Sequence, residues 1–215
     1  MTKPEMGFAI RDQKLSCLYL YVVISISSTY LLGALFYADK FHFWQHALSE
    51  LGTTRTLTGT PNTISAFLVA LGMFTTGWLL LTIAGMYQAQ SNLLNQHLKC
   101  FLLYIAGIGS FITIFPNDLF HVLHSIGSGM MIGPIFIIEL LMLWERKLVI
   151  GITKVYSVSI LLSVSILTYA AAFFRYHDIQ QVAQKFCIFN LLLILYNRSK
   201  SKMALPGPIL TQQSV

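Results

Sequence analysis

Six stretches of this chain run almost free of charge: residues 15–37, 64–87, 98–115, 120–144, 150–174 and 181–196. A hydrocarbon core about 30 Å thick is crossed by about 20 apolar residues in an α-helix, and lipid offers nothing to an unpaired backbone. The expectation is therefore all-α: an integral membrane six-helix bundle. Composition agrees, with 55% hydrophobic and 10% charged residues against about 25% charged in soluble domains. This excludes a disordered chain, a coiled coil and an ordinary soluble domain. The first stretch is too long for a signal-peptide core and no small-residue cleavage site follows it, so it reads as a retained span. The sixth is the weakest, interrupted by Gln184, Lys185 and Asn190.

Cation placement orients the spans. With six, one side holds Lys3, Arg11, Lys14, Lys99, Arg146, Lys147, Lys154, Arg198, Lys200 and Lys202, and the other only Lys40, Arg55, Arg175 and Lys185. Ten against four makes residues 1–14 and the tail 198–215 cytoplasmic, and dropping the sixth span would equalise the sides at seven each. The net charge of +6 is thus explained by orientation, and nucleic acid is not expected as a partner. Cys17, Cys100 and Cys187 lie in or beside apolar runs with no CxxC, which argues for buried thiols over a disulfide framework or zinc ribbon.

On this map five of six histidines fall on the outer side. His42 and His46 lie in the first outer loop, His121 and His124 open the fourth span, and His177 lies in the third outer loop; only His97 is cytoplasmic. Asp39, Ser49, Glu50, Asn117, Asp118 and Asp178 share that side. Over 39–51 the apolar residues Phe41, Trp44, Leu48 and Leu51 recur at helical spacing, with His42, Gln45, His46 and Ser49 opposite. This predicts a short amphipathic helix in the interface, N-capped by Asp39 and anchored by Trp44. His121, His124 and Ser128 fall at i, i+3 and i+7, one face of the fourth span, and such a face turns to the bundle interior or a wet cavity. Pro116 ends the third span, and Asn117 or Asp118 is placed to cap the fourth. The bland alternative is that these groups hydrate an interfacial helix and satisfy core hydrogen bonds.

Imidazoles with carboxylates make zinc sites, but no HExxH occurs, so a metal would have to be assembled from separate loops. Haem is disfavoured: no CxxCH is present and the cytoplasmic half lacks a histidine pair. No Walker, Gly-x-Ser-x-Gly or dinucleotide motif occurs. Gly33, Gly72, Gly77, Gly107 and Gly109 read as packing positions, and Glu139 as the partner of a nearby Lys or Arg.

Two segments carry a resemblance. One is Ala-Leu-Ser-Glu-Leu-Gly at 47–52 with Thr60-Pro61-Asn62, Phe67 and Gly77; the other is Phe115-Pro116-Asn117-Asp118 with His124-Ser125-Ile126-Gly127. Together they resemble the bacterial six-span family of unknown function that groups with the DRAM and FGF-receptor-activating (Frag/Sfk) proteins. The resemblance implies six spans, no large soluble domain, a bacterial inner membrane and an association with membrane lipid. It carries over Ser49, Glu50, Pro61, Asn62, Pro116, Asp118, His124 and Ser128, and leaves His42, His46 and His121 outside the pattern.

Three functions stay open. The first is a membrane protein whose polar outer face is structural. The second is a metal-dependent lipid hydrolase: zinc held by some of His42, His46, His121, His124 and His177 activates water, Glu50 or Asp118 acts as base, and Ser49 or Ser128 orients water or ester. The third is a small-solute or proton-linked carrier, although mid-span charge is almost absent.

Overall fold

The computed structural model describes residues 3–89, 95–145, 147–174 and 177–200. Among them the regular structure is helical, with no strand beyond a single bridge between Arg55 and Pro61. The helices are α1 (Lys3–Leu35), α2 (Thr63–Gln88), α3 (Gln96–Ile112), α4 (His121–Glu145), the one-turn α5 (Lys147–Ile150), α6 (Ile152–Phe174) and α7 (His177–Lys200), with a 3-10 turn at Leu48–Gly52. The longer helices pack in chain order, α1 on α2, α2 on α3, α3 on α4, α4 on α6 and α6 on α7, and α7 returns to α1. Of these seams α4–α6 is the loosest.

Among the described residues five helices are long and apolar enough to cross a membrane: Gln13–Leu35, Thr63–Gln88, His121–Glu145, Ile152–Ala171 and Ile179–Lys200. α3, at 17 residues, is about 26 Å long at 1.5 Å per residue. It stops at Ile112, three residues before the end of the expected third span at 115. The amides of Ile114 and Phe115 bond three residues back, to Phe111 and Ile112, so the helix tightens before Pro116. Proline disfavours helical geometry in the residue ahead of it.

The apolar residues divide between an inward stripe and an outward one. In α1, Leu15, Tyr19, Val22 and Ile26 are buried at helical spacing, while Ile24, Leu31 and Leu35 point outward. Trp78 on α2, Val122 on α4 and Leu167 on α6 are each more than 60% exposed. An apolar exterior of this extent would drive aggregation in water and suits lipid. The glycines act as packing positions. A Cβ on Gly77 would stand 2.9 Å from the Gly107 carbonyl, and one on Gly109 would stand 2.5 Å from the Met131 amide nitrogen, so α2, α3 and α4 meet backbone to backbone.

The polar residues of the last helix are turned inward and bonded. Gln184 accepts from the Leu48 amide at 2.8 Å, Lys185 donates to the His46 and Gln181 carbonyls, and Asn190 donates to Ser165 Oγ at 3.1 Å. The interruptions that weaken this segment as an apolar run are the contacts that hold it to the rest of the molecule. Glu139 also finds the cation expected of it: Arg198 Nη2 lies 3.0 Å from its Oε2, both side chains buried.

Candidate functional site

Residues 36–62 cover one end of the helices and are pinned at several points. Asn62 is buried, donates to the Leu51 and Thr53 carbonyls and accepts from the Ala38 amide. The Ser65 hydroxyl lies 2.7 Å from the Leu51 carbonyl oxygen and 2.8 Å from that of Gly33. Leu51 is thereby held at 0% exposure, and Gly52 admits Val69, whose Cγ1 would lie 3.1 Å from an added Cβ.

The expected amphipathic helix over 39–51 does not form. The segment makes one turn closed on the His42 carbonyl by the Gln45 and His46 amides, then the 3-10 turn. Side chains take the amides that a helix would use. Glu50 Oε1 accepts from the Ala47 amide at 3.0 Å and Gln184 takes that of Leu48. Asp39 does not cap a helix. Its carboxylate accepts from the hydroxyls of Thr58 and Thr60, and the hydroxyls of Thr56 and Thr58 hold it below the usual carboxylate range.

Asp118 likewise departs from its expected role as a cap. Its carboxylate accepts from the Thr54 hydroxyl and amide and from the Arg55 amide, clasping the α3–α4 connection to the first loop. Burial alone would raise its pKa. The Thr54 and Arg55 donors outweigh that and hold it below its usual 3.8. A lowered folded-state value stabilises the clasp above the ordinary carboxylate range, and that stability is lost as pH falls through the lowered value. Hydrogen exchange at the Thr54 and Arg55 amides, corrected for intrinsic rate, is expected to lose protection below about pH 4 in the wild type. In Asp118→Ala it should be unprotected already at neutral pH. Equal protection in the two proteins at pH 7 would remove the clasp.

Of the sequence-expected site residues, three converge. Ser49, His124 and Ser128 line one small cavity together with Tyr169 and Gln184. Its volume is about 20 Å³, room for a single water. His124 is 6% exposed, and its Nδ1 lies 2.9 Å from the Phe115 carbonyl oxygen. A carbonyl only accepts, so Nδ1 carries a proton. The lining thus brings together the His124 imidazole, the Gln184 amide and the hydroxyls of Tyr30, Ser49, Thr113, Ser128 and Tyr169.

The other candidates lie elsewhere. Glu50 Oε2 faces His46 Nδ1 at 3.4 Å, both atoms buried and without an aligned hydrogen bond. His42 is exposed, its ring 5.9 Å from that of His46. His121 is exposed and bonds Asn117 Oδ1 through Nδ1 at 2.8 Å. The side chains of His177 and Asp178 lie outside the described residues. Among the described residues no three His, Cys, Asp or Glu side chains gather as a metal site. The described side chains alone do not assemble the zinc centre of the hydrolase reading, and His177, one of its candidate ligands, has its side chain outside them.

Sequence reasoning missed Gln184 and Tyr169 as cavity residues. Gln184 was visible only as an interruption, and Tyr169 as one aromatic among many. A second cavity, of about 260 Å³, lies in the α4–α6 seam and is lined by Ser125, Gly129, Gly133, Ile166 and Ala170. Ile132 and Tyr169 belong to both cavities.

The fold and its apolar exterior are those of a multi-pass, membrane-embedded helical protein. No known protein family, curated protein or solved structure matches the chain.

Proposed function

We propose that this chain is a six-span membrane protein, both termini cytoplasmic, that binds membrane lipid at its outer end, a single polar atom of the lipid reaching the small cavity of Ser49, His124 and Ser128. α3 serves as the third span, and the ten-to-four cation split sets the orientation. The supporting observation is convergence: Ser49 from the first loop meets His124 and Ser128 of α4 around one cavity that shares walls with an apolar crevice between two spans. An amphiphile needs such a pair of neighbouring environments, one for its polar group and one for its chain. The resemblance to the DRAM and Frag/Sfk group, and the bacterial inner membrane it implies, belong to the same proposal.

The motif residues carry a division of labour. Glu50, Asn62 and Asp118 build and fasten the cap, while Ser49, His124 and Ser128 face the cavity. The test is photolabelling in nanodiscs with a phospholipid that carries its photophore on the head group. Labelling is expected in the segments around Ser49, His124 and Gln184, and it should fall about tenfold in His124→Ala/Ser128→Ala, the loss of two hydrogen bonds to a buried polar group. Labelling spread evenly over the lipid-facing surface, and unchanged in the variant, would overturn the lipid reading. Release of free fatty acid in the same samples would extend it from binding to ester hydrolysis.

A further inference from the structure

We infer that the α4–α6 crevice holds one acyl chain of an outer-leaflet lipid, entering sideways from the bilayer, with Ile132 and Tyr169 forming the wall between chain and polar group. This rests on the lipid reading above and adds the route and the part of the ligand that fits. Four observations carry it.

First, the seam is open where its sequence would let it close. Ser125, Gly129 and Gly133 form a small-residue stripe at i, i+4 and i+8 on α4, the pattern that elsewhere brings helices into contact. Yet a Cβ on Gly129 or Gly133 would meet nothing within 4 Å. The contrast with Gly127, whose Cβ would stand 2.7 Å from the Thr113 amide nitrogen, is direct: one face of α4 is packed to the backbone and the other is left as space.

Second, the space is apolar and continuous with the lipid-facing surface. Val122 and Ile126 on α4, and Val164 and Leu167 on α6, flank it and are exposed. The medium at its mouth is hydrocarbon, so an acyl chain is already present there at high concentration.

Third, the depth matches one leaflet. Ser125 to Gly133 is eight residues of helix, about 12 Å along the axis. Half the hydrocarbon core is about 15 Å. A volume of about 260 Å³ falls just under the range of about 300–1,000 Å³ typical of whole small-molecule sites, which suits one chain and not a complete lipid.

Fourth, the crevice adjoins the polar cavity. Ile132 and Tyr169 line both, so a lipid with its chain in the seam has its polar end beside Ser128, His124 and Gln184. On α4 the two run side by side, the polar cavity along His124 to Ile132 and the crevice along Ser125 to Gly133, with His124 and Ser125 at the end where a lipid of the adjoining leaflet has its polar group.

The experiment uses the full chain in nanodiscs with two photoactivatable phospholipids, one with the photophore at the chain terminus and one with it on the head group. Chain-end label is read at Ser125, Ile166 and Ala170 relative to exposed Leu167 in the same sample. In the variant Gly129→Leu/Gly133→Leu the added Cβ atoms meet nothing within 4 Å and the rest of each side chain extends into the crevice; leucine is also the better helix former, so it should purify with unchanged or higher thermal stability. Ala170→Phe fills the same space from α6. Both should lower the crevice-to-surface label ratio about tenfold, the cost of unburying about two methylenes.

A ratio near one in the wild type, or a high ratio unchanged in both filled variants, overturns the inference. If head-group label still concentrates at the polar cavity, the lipid reading stands without the crevice. If chain-end label is specific and head-group label is not, the crevice stands and the polar cavity loses its role. Labelling of neither overturns both.

Discussion

Arg198→Ala should destabilise this protein by about 3 kcal/mol, toward the lower end of what breaking a buried ion pair costs. The Arg198 guanidinium reaches Glu139 through Nη2 at 3.0 Å and Nε at 3.4 Å, and the two residues are 7% and 6% exposed. Removing the cation strands a carboxylate six residues inside α4, about 9 Å from its end. Glu139→Ala should be milder, because Arg198 stands near the end of α7 and its long side chain can turn toward the interface. Arg198→Leu/Glu139→Leu removes both charges together and should recover most of the loss. Thermal unfolding in detergent checks all three. If the double variant is as unstable as Arg198→Ala, the pair is not what holds α4 to α7.

The second large effect is steric. Gly109→Val and Gly127→Val should each lower stability by about 1–3 kcal/mol, and the double variant should fail to accumulate as monodisperse protein. A Cβ on Gly109 would lie 2.5 Å from the Met131 nitrogen, and one on Gly127 would lie 2.9 Å from the Gly109 carbonyl oxygen. These contacts are with backbone, which cannot rotate aside, so α3 and α4 must separate. The gain from replacing glycine in a helix is under about 1 kcal/mol and does not offset it. Gly85→Ala on α2 is the control: a Cβ there meets nothing within 4 Å, and the change should be neutral or stabilising. Comparable losses at Gly85 and Gly109 would show that helix–helix contact is not the reason for these glycines.

Much of the helical layout could be read from the chain because span positions depend on local quantities. The starts of α2 and α4 at Thr63 and His121 each fall one residue from the expected spans at 64 and 120. Apolar content over about 20 residues decides whether a segment can sit in lipid, whatever surrounds it. The glycine positions and the pairing of Glu139 were legible for the same reason, since a charge at that depth must find a partner.

The loop over 39–51 was misread as a helix because its periodicity is a property of the segment, whereas its conformation is set by groups distant in sequence. Gln184, 136 residues away, takes the Leu48 amide, and Asp118, 64 residues away, takes that of Thr54. A helix over 39–51 would have to keep the Leu48 amide for itself.

The candidate site divides along the same line. That His124 and Ser128 share a helix face follows from their spacing. That Ser49 and Gln184 join them, while Asp118 and His121 turn away to Thr54 and Asn117, follows from how the loops close over the helix ends. Sequence by itself determined the helical class, the approximate helix positions and which side gathers the polar residues, because each depends on composition within one segment. Only the tertiary structure decided which polar residues meet, which merely fasten the cap, and that the α4–α6 seam is left open. Those outcomes depend on distances between segments, and no single segment encodes them.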